Sequence, residues 1–355
     1  MAGGFHRRDL LRTGARFAAG AAAFGAIGIG RQAWADLPTL RATHFGGPYQ
    51  ALQDIIAKPF EAAGHAKVTY DVEISPTSFS KMQTQRDDPP FDVTFLSRFF
   101  TLRAMNSGLL ATIAPGDLPE LPNLTKDALA DRGAGVAMVL DTMDIMVDNK
   151  QVPTPMTSWL DLWRPELKGK IMLPGAVNGA AAFAFIACLI RTIGGDVKSE
   201  AAVNETFARL KALKPNVRSF YADGIQPNQL MERSDIAVAP QFAIRIANST
   251  KTMANIVKVT PKEGVLAVPY DLCIPKGTKN LALAKTYLNF TLTNPIQTAL
   301  AQTLLATPVR PDVVIPPALA SLVTTDRDRI WFQDEEFAAT KQREWLDRYT
   351  REVQS

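Results

Sequence analysis

The sequence predicts an α/β protein with two lobes joined by two crossings of the chain. Predicted strands and helices alternate along it, which is typical of parallel sheets covered by helices. Beyond a predicted export segment about 320 residues remain, more than one hydrophobic core usually organises. The apolar stretch 263–277 carries the triplet Pro269-Tyr270-Asp271 in its middle, as expected where a buried chain passes between two bodies.

The first 35 residues have the features of an export signal. The twin-arginine pair Arg7-Arg8 precedes an Ala- and Gly-rich apolar run over 17–30, and small residues surround a cleavage site at 33–35. The run is too short to span a bilayer comfortably, so removal is expected rather than retention as a membrane anchor. The sequence therefore predicts a periplasmic protein, exported by the twin-arginine route, whose mature chain begins near Asp36.

Composition gives no indication of a nucleic-acid partner once this segment is set aside. Five of the 39 Lys and Arg residues and one of the 35 Asp and Glu residues lie in 1–35. The remaining chain has 34 basic and 34 acidic side chains, and hence no net charge. No basic surface for nucleic acid is expected from this balance.

The first lobe is predicted from strands and helices in alternation. Strands are expected at 40–45, 67–73 and 91–96, and helices at 49–63, 78–86 and 97–107. An extended run over 136–147, interrupted by Asp141 and Asp144, is the expected first crossing. These two acids could tune the hinge or meet a ligand.

The second lobe follows the same pattern. Its predicted elements are a capped helix start at 157–163, a strand at 169–174, helices at 179–193 and 201–213, and strands at 217–221, at 236–239 and around Val257. The tail, 326–355, should be helical and dock on this lobe.

The stretch 263–277 is the expected return crossing. Pro269 has no N–H for a ladder, so a plain central strand is not expected there. Asn280 caps the next helix, and Asn294-Pro295 starts another. The predicted boundaries are 36–142 plus 269–307 for the first lobe, and 143–268 plus 308–355 for the second.

The sequence indicates a binder rather than an enzyme, with no cofactor or metal. His44 and His65 are the only histidines after the export segment, and no nucleophile–base pairing, phosphate loop or zinc spacing is present. Ferric iron would favour adjacent tyrosines, and the tyrosines are isolated. Cys188 and Cys273 are expected to be buried free thiols. An exported hydrolase is the alternative from a different class.

Several pieces, in order across the mature chain, resemble one family. They are Gly46-Gly47-Pro48-Tyr49, Lys58-Pro59-Phe60-Glu61, Phe91-Asp92-Val93, Thr157-Ser158-Trp159-Leu160-Asp161-Leu162-Trp163, Lys168-Gly169-Lys170-Ile171 and Ile274-Pro275-Lys276-Gly277-Thr278-Lys279-Asn280. The family is the solute-binding proteins of ABC importers, in the spermidine/putrescine-binding branch. The resemblance implies the type II periplasmic binding protein fold, a small polar solute held between the lobes, and delivery to an inner-membrane permease by a monomer.

Candidate site residues follow from the residues and the resemblance together. Loops beyond the carboxyl ends of parallel strands should face one cleft. By resemblance, Phe45 matches an aromatic position, Ser97 a cleft serine, and Tyr270 an acid-bearing position. The predicted ligand-binding residues are Phe45, Tyr49, Ser97, Arg98, Gln241, Tyr270 and Asp271.

The solute class stays open between two alternatives. Family members that bind spermidine or putrescine surround a polyammonium with aromatic rings and carboxylates. Here the loop after Leu173 has no carboxylate, and Pro240 and Gln241 stand where a tryptophan is expected. A solute with an anionic group, received by Arg98, the Gly46-Gly47 loop and Tyr270, fits better, and a zwitterion would also use Asp271.

Overall fold

The computed structural model describes residues 37–355, so the predicted export segment lies outside the described chain. Residues Pro38–Ser355 form one compact unit with two main hydrophobic cores. Within this part of the chain no helix is long and apolar enough to cross a membrane.

Strands and helices alternate through most of the described chain. The strands are β1 Thr39–His44, β2 Lys67–Val72, β3 Thr94–Ser97, β4 Val136–Asp148, β5 Ile171–Pro174, β6 Val217–Tyr221, β7 Val238–Phe242, β8 Ile256–Val259, β9 Val265–Cys273, β10 Thr307–Pro308 and β11 Ile330–Trp331. The helices are α1 Lys58–Ala62, α2 Ser75–Thr84, α3 Arg98–Asn106, α4 Gly179–Gly194, α5 Glu200–Leu213, α6 Gln226–Glu232, α7 Ala243–Ser249, α8 Leu281–Thr291, α9 Asn294–Leu304 and α10 Glu335–Tyr349.

Each core has its own parallel strands. In the first lobe β1 pairs with β2 in parallel, and Ala42 of β1 bridges in parallel to Val93, just before β3. In the second lobe β5 is parallel to both β6 and β7. Helix α4 is buried along all of 181–190, because its apolar side chains surround it on every side and it must lie inside the second core.

Two strands pass from one core to the other. The first half of β4, up to Leu140, packs in the first core, and its second half, from Met143, packs in the second. Strand β9 pairs antiparallel with β4 and crosses in the opposite direction, from Leu266 in the second core to Ala267 and Leu272 in the first. The predicted fold class, two α/β lobes joined by a two-strand hinge, is confirmed.

The return crossing is a continuous strand, contrary to the expectation from Pro269. Strand β9 runs through Pro269, which lies opposite Leu140 of β4. On the other edge of β9, β11 pairs with 265–266 and β3 pairs with 270–273. Pro269 therefore lies between two partner strands, where the missing N–H breaks no ladder.

The helix predicted over 49–63 is present, but its turns are not all α-helical. The chain there forms a 3-10 turn, a π-helical turn and then α1, over Gly47–Ala51, Gln53–Ala57 and Lys58–Ala62. Pro59 has no N–H to bond to the carbonyl four residues earlier. The N–H of Lys58 instead bonds to Gln53, five residues back, which gives the wider turn before the proline.

The C-terminal tail and the cysteines lie as predicted. Helix α10 packs on the second core, where Trp345 is buried and stacks on Phe183 with ring centroids 5.1 Å apart. Cys188 and Cys273 are both buried and free. Burial raises the pKa of the Cys188 thiol to about 12, so this cysteine stays a neutral apolar group at physiological pH.

Candidate functional site

Tyr270 and Asp271 lie on opposite faces of β9, because successive side chains of a strand alternate. Tyr270 is partly buried among aromatic rings. Asp271 is fully buried on the other face, where it and Cys273 lie against Gly135. Both are predicted to contact the solute, but the strand geometry allows only one of them to reach a given face.

Four aromatic side chains form a cluster around Tyr270. Its ring centroid lies 5.2 Å from that of Phe45, 6.2 Å from Tyr49 and 5.7 Å from Phe95, mostly in edge-to-face contacts. Phe95 is fully buried, whereas Phe45 and Tyr270 keep part of their surface exposed. We call these four residues the ring cluster. It brings together three of the predicted site residues, Phe45, Tyr49 and Tyr270.

A turn of two glycines aims Tyr49 at this cluster. Gly46 and Gly47 both have positive φ, a backbone region that side-chain-bearing residues rarely adopt. A Cβ on Gly46 would also lie 2.9 Å from the side chain of Val72. The glycine pair therefore fixes how the chain leaves β1 and reaches the ring cluster.

Ser97 lies on the same side as the ring cluster. It pairs directly with Tyr270 in the β3–β9 ladder, and directly paired side chains of neighbouring strands share a face. Its N–H donates to Ser75 Oγ at 3.0 Å, while its own hydroxyl makes no hydrogen bond to any described residue. The Ser97 hydroxyl is therefore free to bond to a solute.

Asp141 of β4 lies where the ring cluster meets the second lobe. Its carboxylate is buried and accepts a hydrogen bond from the N–H of Ile244 in α7 at 3.1 Å. Burial raises the pKa of Asp141 to about 7, against the opposing effects of that bond and of the Arg245 charge. This carboxyl therefore loses its proton closer to neutral pH than an ordinary aspartate does.

Arg98 and Asp271 form a buried ion pair with each other. The guanidinium donates to both carboxylate oxygens, at 2.7 and 2.8 Å, and also to the carbonyls of Asp127 and Ala128 at 3.2 Å. Arg98 is 9% exposed and Asp271 is fully buried. The contact with a solute predicted for both residues stays a prediction, since their charged groups are occupied by each other.

Gln241 is likewise occupied within the protein. Its Nε2 donates to the carbonyl of Gly224 at 3.1 Å, and its Oε1 accepts from the N–H of Phe242 at 2.9 Å. Tyr221 donates its hydroxyl to the carbonyl of Pro240 at 2.8 Å. These bonds hold β6 and the loop that follows it against the end of β7, so Gln241 fixes this part of the second lobe.

Sequence reasoning missed Arg245, the exposed residue that follows Ile244 in α7. Its side chain passes over Gly224, where a Cβ would lie 2.8 Å from the Arg245 Cδ and Nε atoms. A signal was present in the sequence. Arg245 is the single charged residue in the apolar run 236–247, just as Asp271 is conspicuous in its own run.

The comparisons with known proteins decide the family. Residues 87–336, more than two thirds of the chain, match the sequence model of a family described as bacterial extracellular solute-binding protein. The chain belongs to this family. Proteins of the family bind small solutes and work with the permeases of ABC importers, so the general role predicted from the sequence is confirmed.

Relatives and solved structures agree with this assignment. The solute-binding protein is 28% identical over 233 residues to spermidine/putrescine-binding periplasmic protein 1 of Haemophilus influenzae, in an alignment that covers 63% of each chain. It is 25% identical over 247 residues to the spermidine/putrescine-binding periplasmic protein of Escherichia coli, covering 67% of this chain and 69% of that one. An ABC transporter structure from Clostridium perfringens matches with a TM-score of 0.74 and 24% identity, over 88% and 99% of the two chains.

No group of three or more His, Cys, Asp or Glu side chains that could hold a metal ion occurs in residues 37–355. The polar clusters of the solute-binding protein are instead ion pairs and hydroxyl networks. Two of them, around Glu335 and around Lys258, were missed in the sequence because their members come from distant segments.

Glu335 begins α10 of the second lobe and lies near the Arg98–Asp271 pair of the first. Burial raises the pKa of its carboxyl to about 7. A hydrogen bond from Gln333 and the charge of Arg98 oppose this rise. The charges of Asp271 and Asp334 add to it. The carboxyl is therefore partly neutral at pH 7, at a point where helices α10 and α3 come into contact.

Glu335→Gln is expected to stabilise the solute-binding protein above pH 7 and to leave it unchanged near pH 4. The folded protein holds the proton up to about pH 7, whereas the unfolded chain releases it near its ordinary pKa, so this group makes the free energy of unfolding fall as pH rises between the two values. We expect the free energy of unfolding to increase by about 1–2 kcal/mol at alkaline pH, a value reduced because Glu335 is partly exposed. Urea unfolding across pH measures it.

The exposed neighbour Glu336 provides a matched control. Glu336→Gln should leave the pH dependence of the wild type intact. If Glu335→Gln and the wild type lost stability in parallel between acid and alkaline pH, Glu335 would not titrate as described.

A buried polar network joins the hinge to the second lobe. Lys258 of β8 donates to Asp144 of β4 at 3.3 Å, to Thr260 at 2.9 Å and to Thr324 at 2.6 Å. Thr142 and Thr260 also donate to the Asp144 carboxylate, each at 2.5 Å. The ammonium and the carboxylate are almost completely buried, with side chains 2% and 0% exposed. Asp144 therefore lies just beyond the crossing, where β4 enters the second lobe.

Proposed function

We propose that this chain is the solute-binding component of an ABC importer, which captures a small polar solute between its lobes and delivers it to an inner-membrane permease. The observation that carries the proposal is the ring cluster at the hinge. Phe45 and Tyr270 expose part of their rings, and the hydroxyls of Tyr49 and Tyr270 make no hydrogen bond to any described residue. Ring faces and free hydroxyls beside a hinge suit a polar solute that is gripped on closure.

The contacting residues in this proposal are Phe45, Tyr49, Ser97 and Tyr270. Arg98, Gln241 and Asp271 fix the walls behind them through their own bonds. We place the lobe boundaries at 36–142 plus 269–307 and at 143–268 plus 308–355, which is supported by the change of core within β4 and β9.

We also propose that the protein acts in the periplasm, as a monomer and without catalysis. The twin-arginine pattern Arg7-Arg8 and the small residues at 33–35 support export of a folded chain by that route. The extracellular family supports the compartment, and the use of family members as carriers supports a binder rather than an enzyme. No cofactor enters the proposal.

The names of the relatives support a second candidate, a spermidine- or putrescine-binding protein. Aromatic rings such as those of the ring cluster can stack on ammonium groups. The candidate needs several carboxylates facing the rings. Asp141 shares the ring face of the β4–β9 ladder, whereas Asp271 lies on the opposite face, paired with Arg98.

Tyr270→Phe is expected to weaken solute binding about tenfold without lowering stability, because it removes a free hydroxyl and keeps the ring. A thermal-shift screen of residues 36–355 over polyamines, amino-acid derivatives, opines and phosphonates identifies a solute, which should raise the apparent melting temperature without turnover. Isothermal titration of the variant with that solute then measures the loss of affinity.

The matched control is Tyr70→Phe. The Tyr70 hydroxyl is partly buried in the same lobe and bonds to Tyr287 at 2.7 Å, so its removal should change stability and leave affinity within about twofold. Equal affinity of wild type and Tyr270→Phe would contradict the placement of the site, and turnover of a bound solute would contradict the assignment as a carrier.

A further inference from the structure

Arg245 lies at the junction of the two lobes. Its neighbours along α7 pack into different cores, Ile244 into the first and Ile246 into the second. The N–H of Ile244 is bonded to Asp141 of the hinge strand, and the Arg245 side chain lies over Gly224, in the loop after β6. The guanidinium therefore lies on the second-lobe side of this junction, and its charge acts on Tyr49 and Tyr270 of the ring cluster.

This guanidinium has no partner among the described residues. Arg245 is exposed, and its side chain forms neither an ion pair nor a hydrogen bond within 37–355. Arg98, in contrast, is buried, and its Nε and one terminal nitrogen donate to Asp271 and to two backbone carbonyls. Of the two arginines considered at the gap, only Arg245 has all of its donors available to a solute.

The tyrosine hydroxyls on which the Arg245 charge acts are neutral donors, and the acid that acts on the same two tyrosines is the buried Asp141. Burial raises the pKa of Tyr49 and of Tyr270, and the positive charge of Arg245 acts against that rise in both. The two phenols are thus neutral hydroxyls on which the Arg245 charge acts. Neither hydroxyl bonds to a described residue. A guanidinium and two free hydroxyls make a suitable receptor for an anionic oxygen group.

The carboxylates near this point do not provide the opposite charge that a polyamine needs. Asp271 is paired with Arg98, and Asp141, which shares the Tyr270 face of the β4–β9 ladder, is buried and accepts from the N–H of Ile244. Asp223 is exposed in the loop after β6, and its Oδ1 accepts from the N–H of Ile225 at 2.9 Å. One exposed acid beside one exposed arginine suits an anionic or zwitterionic solute, since burying two ammonium groups without counter-charges is strongly unfavourable.

We infer that Arg245 binds an anionic group of the solute, a carboxylate or a phosphate, with the hydroxyls of Tyr49 and Tyr270 completing its hydrogen bonds. The inference rests on the proposed solute-binding function and names the class of solute. It moves the anion-binding role that the sequence predicts for Arg98 to a residue on the other lobe.

Titration of a charge-matched series tests the inference. Succinate, 4-aminobutyrate and putrescine have chains of the same length and carry two, one or no carboxylates, and inorganic phosphate separates a phosphate from a carboxylate requirement. We expect tighter binding of an anionic probe than of putrescine. Arg245→Gln should weaken the anionic probe about 10- to 100-fold, Arg245→Lys should weaken it less, and putrescine should be unaffected.

Two further variants complete the design. Arg351→Gln removes another exposed arginine that has no ion-pair partner in the described chain, and it should leave affinity unchanged. Gly224→Ala keeps the Arg245 guanidinium but displaces it, because the new Cβ would lie only 2.8 Å from its Cδ and Nε atoms. It should weaken binding of the anionic probe several-fold. Arg245→Gln and Arg351→Gln should both melt within a few degrees of wild type.

Several outcomes overturn the inference. Equal affinity of an anionic probe for wild type and Arg245→Gln overturns it, as does an unchanged affinity in Gly224→Ala. Tight binding of putrescine without any anionic probe overturns it while the proposed solute-binding function stands. Failure of every probe to bind at millimolar concentration, together with no hit in the wider thermal-shift screen, overturns both.

Discussion

Arg98→Met is expected to lower the free energy of unfolding by about 3–5 kcal/mol, because it leaves the Asp271 carboxylate buried without its counter-charge. Both carboxylate oxygens accept from Arg98, and Asp271 is fully buried. The carbonyls of Asp127 and Ala128 also lose a donor. Urea unfolding of residues 36–355 at neutral pH, with the slope checked for two-state behaviour, measures the loss.

A second substitution distinguishes an unpaired charge from simple loss of packing. Arg98→Met combined with Asp271→Leu should recover much of the stability, because no buried charge is then left uncompensated. Lys279→Met is the exposed control: its pair with Asp88 spans 3.0 Å, with side chains 79% and 76% exposed, and should contribute less than about 1 kcal/mol. An Arg98→Met protein as stable as Lys279→Met would show that the buried pair does not form.

Lys258→Met is expected to destabilise the protein by about 3 kcal/mol, toward the lower end of the range for a broken buried pair. Asp144 loses its counter-charge but keeps the hydroxyl donors Thr142 and Thr260. Because the same network includes Thr142, which lies at the crossing of β4, the substitution should also change lobe closure. Denaturant unfolding measures the first effect, and small-angle scattering with and without the solute found by the screen measures the second.

Lys262→Met is the matched control for this network. Lys262 is exposed, lies four residues beyond Lys258, and makes no ion pair within the described residues. Its replacement should change the free energy of unfolding by less than about 0.5 kcal/mol. Indistinguishable unfolding curves for the two lysine variants would contradict the role given to Lys258.

Local signals predicted most secondary structure. The capped start at 157–163 is a 3-10 turn with a capping box between Ser158 and Asp161. Helices α4 and α5 begin and end within a few residues of their predicted bounds, and α8 and α9 begin where their start signals predict. Such signals depend on neighbours within four residues, which the sequence displays directly. The irregular turns at 49–63 and the unexpected strand through Pro269 both involve prolines. A proline lacks an N–H, and the effect of this depends on which carbonyl that N–H would have bonded to.

The candidate site was predicted only in part, for a similar reason. Phe45, Tyr49, Ser97 and Tyr270 were recognised from strand ends and the resemblance, and the structure places them together. Their contact with a solute stays a prediction. Arg98 and Asp271 were recognised as polar residues at buried positions, but their partnership joins residues 173 positions apart, a distance at which no local pattern operates.

The sequence by itself determined the alternation of strands and helices, the two crossings and the helical tail, because spacing of apolar residues and caps act over a few positions. Only the tertiary structure decided which polar side chain meets which. Strand β9 turns Asp271 toward Arg98 and Tyr270 toward the rings, and α7 carries Arg245 to the gap between the lobes. Pairing of buried charges depends on distance in space, and the strand pairing of the folded chain sets that distance.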